Sequence, residues 1–529
     1  MFSESAWSSK TIGDVDVLYH EGLYHLFHLV LPNHDFVAHA ISDNGLNWRR
    51  VDNALFIGNP GSWDDLMLWT MHVSKNPHRP GGWRMFYTGL SRRDQGLKQR
   101  IGLAISDDLY VWRKVDSNWK DLRGSTDPEL VKQARAKLPS GISDNIRARF
   151  DAESCFPLEP DTRFYESSPD NDRGWISFRD PFYFHDNGSG MLLAAARVNH
   201  GPLVRRGCVA AMQETSANCF TSVPPLHHPQ LYDDIEVPNL LKLDGGYYLI
   251  GSLREDAKIR YWHSDSIDGP WRNYYDNVLL PTGNYAGRIC HDHSGVLLWN
   301  FYTEDVGNRT TNNLMPPPKR LSRSADGQLH ATTYEQFDQQ FIGSLDPSCI
   351  HPLKESRQPH KCNPVGDDGL RLSSEAGFQA FVFDEPIDCF CLQAKISMTG
   401  IGKCGLLYRV DRESHDGYYI SLDLMKGVGQ LRAWGTGPLH SGEQMMRFKS
   451  LQSGYWHDGT PRNVEVKLLV FGSYHELSVN GNIILSLADT SYDQGVLGFY
   501  VETAELRIDD LSVHRLQPPT QAEGHLATG

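Results

Sequence analysis

Three carboxylates stand at matching places in three repeated segments. Asp14 lies in Gly13-Asp14-Val15-Asp16, Asp180 in Phe178-Arg179-Asp180-Pro181 and Glu236 in Ile235-Glu236-Val237-Pro238. Each precedes its repeat strand by about nine to twelve residues, an offset that unrelated turn carboxylates would not share. Carboxyl groups on opposite sides of a scissile bond are what glycoside hydrolysis requires. One gives a proton to the leaving oxygen, and the other attacks the anomeric carbon or activates water. Proline next to Asp180 and shortly after Glu236 stiffens the backbone that carries each acid. Asp16, two residues past Asp14, competes with it for the same role.

Acids so far apart in sequence need a fold that brings them to one axis. Five segments repeat a glycine turn followed by an aromatic or apolar strand: Gly22 to Phe27, Gly82 to Gly89, Gly188 to Ala194, Gly245 to Ser252 and Gly295 to Phe301. A second element follows several of them. Ala40-Ile41-Ser42-Asp43 runs to Trp48, Ala104-Ile105-Ser106-Asp107 to Trp112 and Trp262-His263-Ser264-Asp265 to Trp271, with Val209-Ala210-Ala211-Met212 a degenerate copy. Five such units predict an all-β chain whose residues 1–342 form a five-bladed β-propeller. The innermost strand of each blade lines the channel, so acids on successive inner strands meet there. Residues of about 116–172, with a helix-like piece from Pro128 to Lys137, read as an insertion. A linker over 343–368 leads to alternating strands over 369–516, the pattern of a β-sandwich, and 517–529 reads as a tail. Trp434 and Trp456 of this second region are candidates for stacking on sugar, with core packing the simpler use.

The formal net charge of −14 and the lack of any long basic run exclude nucleic acid as a partner. A neutral oligosaccharide or disaccharide substrate suits the balance. Nine cysteines fall in no zinc spacing and read mostly as buried free thiols. His291-Asp292-His293 lacks a third ligand at recognisable spacing, so no metal is expected, and no cofactor motif appears. The N-terminal residues show no apolar signal segment, and no apolar run has membrane-spanning length, so no membrane partner and a cytoplasmic location are the expectation. Nothing in the sequence bears on oligomeric state.

At the acids the chain resembles the furanosidase propellers of glycoside hydrolase families 32 and 68, the β-fructosidases and fructosyltransferases. Arg179-Asp180-Pro181 is similar to that group's Arg-Asp-Pro motif, and Glu236-Val237-Pro238 to its Glu-Cys-Pro motif with Val at the Cys place. Gly13-Asp14-Val15 ahead of Tyr24-His25-Leu26-Phe27 resembles the first-blade motif. Trp63-Asp64-Asp65 through Trp69-Thr70 resembles the second-blade segment that shapes the sugar pocket. The resemblance implies a retaining hydrolase of fructofuranosides with Asp14 as nucleophile, Glu236 as acid and then base, and Asp180 binding sugar hydroxyls. It further implies that Arg179, Asp65, Trp69, Thr70 and His72 help bind substrate. The chain departs from the group at Val15 and Asp16, where Pro and Asn are usual, and at Met71-His72, where a small Gly-Ser pair is usual. Those departures bear on fructose as the sugar more than on the furanosidase class, and the alternatives are a fructosyltransferase on the same scaffold, differing in water access, an inverting arabinofuranosidase or xylosidase of the family 43 type, and an inactive sugar-binding protein.

Overall fold

Tight hairpins build the repeats. At Glu21-Gly22, Asn187-Gly188 and Asp244-Gly245 both turn residues have positive φ, which matches the right-handed twist of paired strands in a two-residue turn. The flanking pairs His20 with Leu23, Asp186 with Ser189 and Leu243 with Gly246 close these loops directly. The computed structural model describes residues 11–115, 155–168, 173–303, 314–346, 348–355, 359–365, 369–436, 446–456 and 462–519. The helix-like piece read at Pro128 to Lys137 lies outside them. Among the described residues the helical content is three short 3-10 turns.

Five antiparallel sheets follow in chain order. The first holds β1 (Thr11–His20), β2 (Leu23–Leu31), β3 (Phe36–Ser42), β4 (Arg49–Arg50) and β5 (Leu55–Phe56). The second holds β6 (Met67–Lys75), β7 (Trp83–Leu90), β8 (Arg100–Ser106) and β9 (Arg113–Lys114). The third holds β10 (Phe178–Asp186), β11 (Ser189–Arg197), β12 (Gly207–Ser216) and β13 (Cys219–His227). The fourth holds β14 (Glu236–Leu243), β15 (Gly246–Leu253), β16 (Lys258–Ser264) and β17 (Val278–Leu280). The fifth holds β18 (Asn284–Asp292), β19 (Gly295–Tyr302), β20 (Lys319–Arg323) and β21 (Leu329–Thr333). This is a five-bladed propeller.

The Ala-x-Ser-Asp element ends the third strand of its blade, where the serine hydroxyl caps the turn. Ser42 Oγ accepts from the Gly45 amide at 2.9 Å and Ser106 Oγ from Leu109 at 3.0 Å. Trp48 and Trp112 sit one residue before the outer strand. Trp112 packs edge-on against Phe27 of the preceding blade, 5.7 Å between centroids. The fifth blade meets the first through side chains. Tyr24 donates to Asp292 at 2.9 Å, and Trp299, fully buried, packs against Tyr24 and Trp48 at 5.9 and 5.5 Å.

By compactness the chain divides into a unit of residues 2–277 with 285–301 and a unit of residues 278–284 with 302–525. The second contains the sandwich. Its strands are β22 (Phe341–Ser344), β23 (Ile350–Pro352), β24 (His360–Val365), β25 (Gly369–Phe383), β26 (Phe390–Val410), β27 (Gly417–Asp423), β28 (Val428–Thr436), β29 (Met446–Tyr455), β30 (Asn463–Phe471), β31 (Tyr474–Val479), β32 (Asn482–Ala488) and β33 (Val496–Leu516). The long strands β26 and β33 serve both layers. The first half of β26 pairs with β30 and its second half with β27, and the strand bulges between Gly400 and Lys403. Phe381, Phe390, Leu406, Ile420, Leu468 and Phe499 fill the space between the layers. Trp456 belongs to this core, whereas Trp434 is 41% exposed and packs against Tyr419.

Candidate active site

A β-bulge interrupts the inner strand of each of the first four blades. Pairing skips Gly13 and Asp14 in β1, Trp69 and Thr70 in β6, Asp180 and Pro181 in β10, and Val237 and Pro238 in β14. Asp180, Val237 and Ala286 of β18 share the left-handed backbone, with φ of 59, 50 and 52°. A bulge re-aims side chains out of the pleat, and strained backbone of this sort gathers at functional sites. The three acids occupy equivalent bulges but three different slots. Glu236 precedes its unpaired residues, Asp180 is the first of them, and Asp14 is the second. The common offset read from the sequence therefore marks the bulge rather than a single position.

Arg179 holds the site together. One of its terminal nitrogens donates to Asp234 at 3.0 Å and to Glu236, the other reaches Gln99 at 3.3 Å, and Nε lies 3.5 Å from Asp180. Asp234 is fully buried and also takes Arg173 at 2.5 Å. Burial pushes the Asp234 carboxyl up, but Arg179 and Arg173 outweigh it and hold it below the usual carboxylate range. The Tyr285 hydroxyl donates to the second oxygen of Glu236, and Arg254 stands 4.0 Å from the first. Burial raises the Glu236 carboxyl. Arg179 works against the rise, and the charges of Asp180 and Asp234 add to it.

Asp14 is half-buried and accepts from the Thr70 hydroxyl. Burial and the charge of Asp180 push its carboxyl up to about 7, with Thr70 and Arg288 acting against the rise. Asp180 is anchored by its backbone, its amide donating to Thr88 at 3.1 Å, while its carboxylate accepts from the Val237 amide at 3.1 Å. Asp16, the competitor of Asp14, is buried and saturated. It accepts from the Val73 amide at 2.7 Å, pairs with His72 Nδ1 at 3.1 Å and faces Arg288 Nε at 3.8 Å.

The remaining expected site residues divide. Thr70 joins the acids. Trp69, next to it in the bulge, is half-buried with its ring 6.2 Å from His34. His72 turns instead onto Phe182, 4.4 Å away, and Asp16, and Met71 packs into the core shared by the first two blades. Asp65 ties two turns together, accepting from the amides of Gly61 in its own turn and Arg92 after β7 at 2.8 Å each. Burial alone would raise its carboxyl, but these amides and Ser91 bring it below the usual range. Trp63 lies across Gly89 and Gly102, where a Cβ would come within 2.4 and 2.6 Å of its ring.

Four residues of the site escaped the sequence reading. Arg288 of β18 is fully buried and donates to the carbonyls of Pro238 at 3.0 Å, Pro181 at 2.8 Å and Met71 at 3.5 Å, so one guanidinium pins the bulges of three other blades. Its signal was a charge inside the otherwise uncharged strand Tyr285-Ala286-Gly287-Arg288-Ile289-Cys290. Tyr285 stands ahead of its turn as Glu236 does, a match visible once the repeats are aligned. Asp234, two residues before Glu236, is the counter-charge that a buried Arg179 requires. Asn239 braces the fourth bulge, donating to the Val237 and Gly287 carbonyls at 2.8 and 2.7 Å. Among the described residues no group of three or more His, Cys, Asp or Glu is arranged to hold a metal ion.

No protein-family model and no curated protein matches the chain. Solved structures do. Fructan 1-exohydrolase IIa from Cichorium intybus is 12% identical with a TM-score of 0.64, covering 98% of this chain and 99% of its own. Exo-inulinase from Aspergillus awamori is 14% identical at 0.63, covering 98% of both chains, and sucrose-6-phosphate hydrolase from Lactobacillus gasseri is 14% identical at 0.63, covering 96% and 91%. The chain shares its fold with these proteins over nearly its whole length: a five-bladed propeller followed by a C-terminal sandwich.

Proposed function

We propose that the protein is a glycosidase acting on fructofuranosides, such as sucrose, fructo-oligosaccharides or fructan, through a covalent glycosyl-enzyme. The observation that carries this reading is the set of three carboxyls on inner-strand bulges of three blades, held by Arg179, Tyr285 and Thr70. Fold likeness to a fructan exohydrolase, an exo-inulinase and a sucrose-6-phosphate hydrolase supports the substrate class, as an analogy of fold. Asp14 is the nucleophile, since Asp16 is buried and spent on His72, Val73 and Arg288. Glu236 is the general acid and then the base that activates water. Asp180 binds sugar hydroxyls and stabilises the positive charge of the transition state. Arg179 and Asp234 position Glu236, and Arg288 positions the bulges.

In this mechanism Asp14 must be ionised and Glu236 protonated. Burial raises both carboxyls, Asp14 to about 7, and activity is expected to fall on the acid side as the nucleophile takes a proton and on the alkaline side as the acid loses one. The two limbs belong to the coupled set rather than to single residues.

The test is a sugar-release screen over sucrose, inulin, levan and pentofuranosides, with NMR of the first product anomer. Release of fructose with net retention supports the proposal. Release of a pentose, or net inversion, overturns it. Products longer than the substrate at high sucrose concentration would assign transfer rather than hydrolysis. Glu236→Gln is expected to lower kcat by about 10²–10⁴-fold on natural substrates, and unimpaired turnover would remove Glu236 from its role.

A further inference from the structure

The nine cysteines contain one pair whose sulfurs meet. Cys155 Sγ and Cys219 Sγ lie 2.8 Å apart, and both residues are half-buried. Of the other thiols, Cys349 is exposed and Cys362 half-buried. Cys208, Cys290, Cys389, Cys391 and Cys404 are buried, and burial pushes Cys391 and Cys404 up to about 12 each, which keeps them protonated and inert.

Both ends of the pair are fixed by contacts that do not involve sulfur. On one side, Phe156 is buried among Phe86, Phe178 and Tyr183, and Leu158 exchanges two backbone bonds with Ile101 of β8, at 2.8 and 3.1 Å. On the other, Cys219 opens β13 opposite Ser216, and the hairpin is tied by the Asn218 amide donating to Glu214 at 3.1 Å. Glu214 is held in turn by Arg84 at 2.7 Å. The rings next to the two cysteines, Phe156 and Phe220, pack edge-on at 6.2 Å. A disulfide has an S–S distance of about 2.05 Å, so closing the bond takes roughly 0.8 Å of sulfur movement between two anchored backbones.

We infer that Cys155 and Cys219 form a reversible disulfide that clamps the segment at residue 155 to the outer strand of the third blade. The oxidant is a low-molecular-weight disulfide. One thiolate attacks it, forming a mixed disulfide and releasing the first small thiol. The second protein thiolate then attacks the protein sulfur and expels the second small thiol. The protein loses two protons and two electrons, and the small disulfide gains them. The bond closes a loop that contains all of β10, β11 and β12, with Arg179 and Asp180, and restricts the unfolded chain over that stretch.

The experiment treats the full chain with glutathione disulfide, unfolds it and alkylates the free thiols. Seven of the nine cysteines are expected to be alkylated, and all nine after reduction, with a peptide pair joined through Cys155 and Cys219. The linked protein is expected to melt several degrees above the reduced one. Cys155→Ser and Cys219→Ser should each abolish the link and the difference in melting while leaving basal activity unchanged. Nine alkylated cysteines in the oxidised sample overturn the proposal, as do a glutathione adduct that stays on either thiol, a link through another cysteine, or equal melting of linked and reduced protein.

Discussion

Asp14 stores instability for use. Its carboxyl is raised to about 7 in the folded chain, far above the 3.8 of a free side chain, chiefly by burial and then by Asp180. The folded state therefore binds this proton more tightly than the unfolded state. The stabilisation is complete below about pH 4 and is lost as pH rises through about 7. Asp14→Asn removes the charge and keeps the shape. It is expected to raise the melting temperature at pH 8, with the gain shrinking toward pH 4, as thermal melts across that range would measure. A gain independent of pH would mean that the carboxylate is not the source of the strain. Residues of this kind were legible where type and spacing sufficed, as for Asp14, Asp180 and Glu236. Arg288 was not, because its partners Met71 and Pro181 lie 217 and 107 positions away. Only the closed ring tells which buried cation faces which carbonyl.

The bulge is the element that turns a plain inner strand into a site. Hairpin turns such as Glu21-Gly22 were readable because their cause is local: both residues must reach positive φ. A bulge has no such local mark here. It appears only in cross-strand register, which is why three acids in three slots looked equivalent from the sequence. Asn239 tests its worth. Its amide serves the Val237 and Gly287 carbonyls, and its oxygen takes the Ile289 amide at 3.3 Å. Asn239→Ala is expected to cost about 1–3 kcal/mol in urea unfolding, because buried backbone groups are left without partners. It should also lower kcat more than it changes KM, since Glu236, at the other end of the same bulge, loses its fixed setting. An unchanged kcat in a destabilised variant would make the brace purely structural.

At the scale of the whole molecule the blades are joined in unlike ways. The second blade shares backbone bonds with the segment that leads into the third, the Ile176 amide donating to Leu97 at 2.8 Å and Leu158 bonded both ways to Ile101. The first and fifth meet through side chains that include Tyr24, Asp292, Trp48 and Trp299, the Tyr19 and His293 rings at 5.8 Å, and Asp16 with Arg288 Nε at 3.8 Å. Tyr24→Phe deletes one hydrogen bond of that seam and is expected to cost about 0.5–1.5 kcal/mol in denaturant unfolding. A larger loss would mark the seam as the point on which cooperativity turns.

Among the described residues the first blade and the fifth share no backbone hydrogen bond, so parting them would break no ladder there. Amide hydrogen exchange would not register such an opening, since no protected N–H changes partner. The indoles would. Trp48 and Trp299 face each other across the seam, and separation would bring the buried Trp299 into water. A red shift of tryptophan emission ahead of any loss of exchange protection is therefore the signature by which a ring opening at this seam of side chains would be recognised.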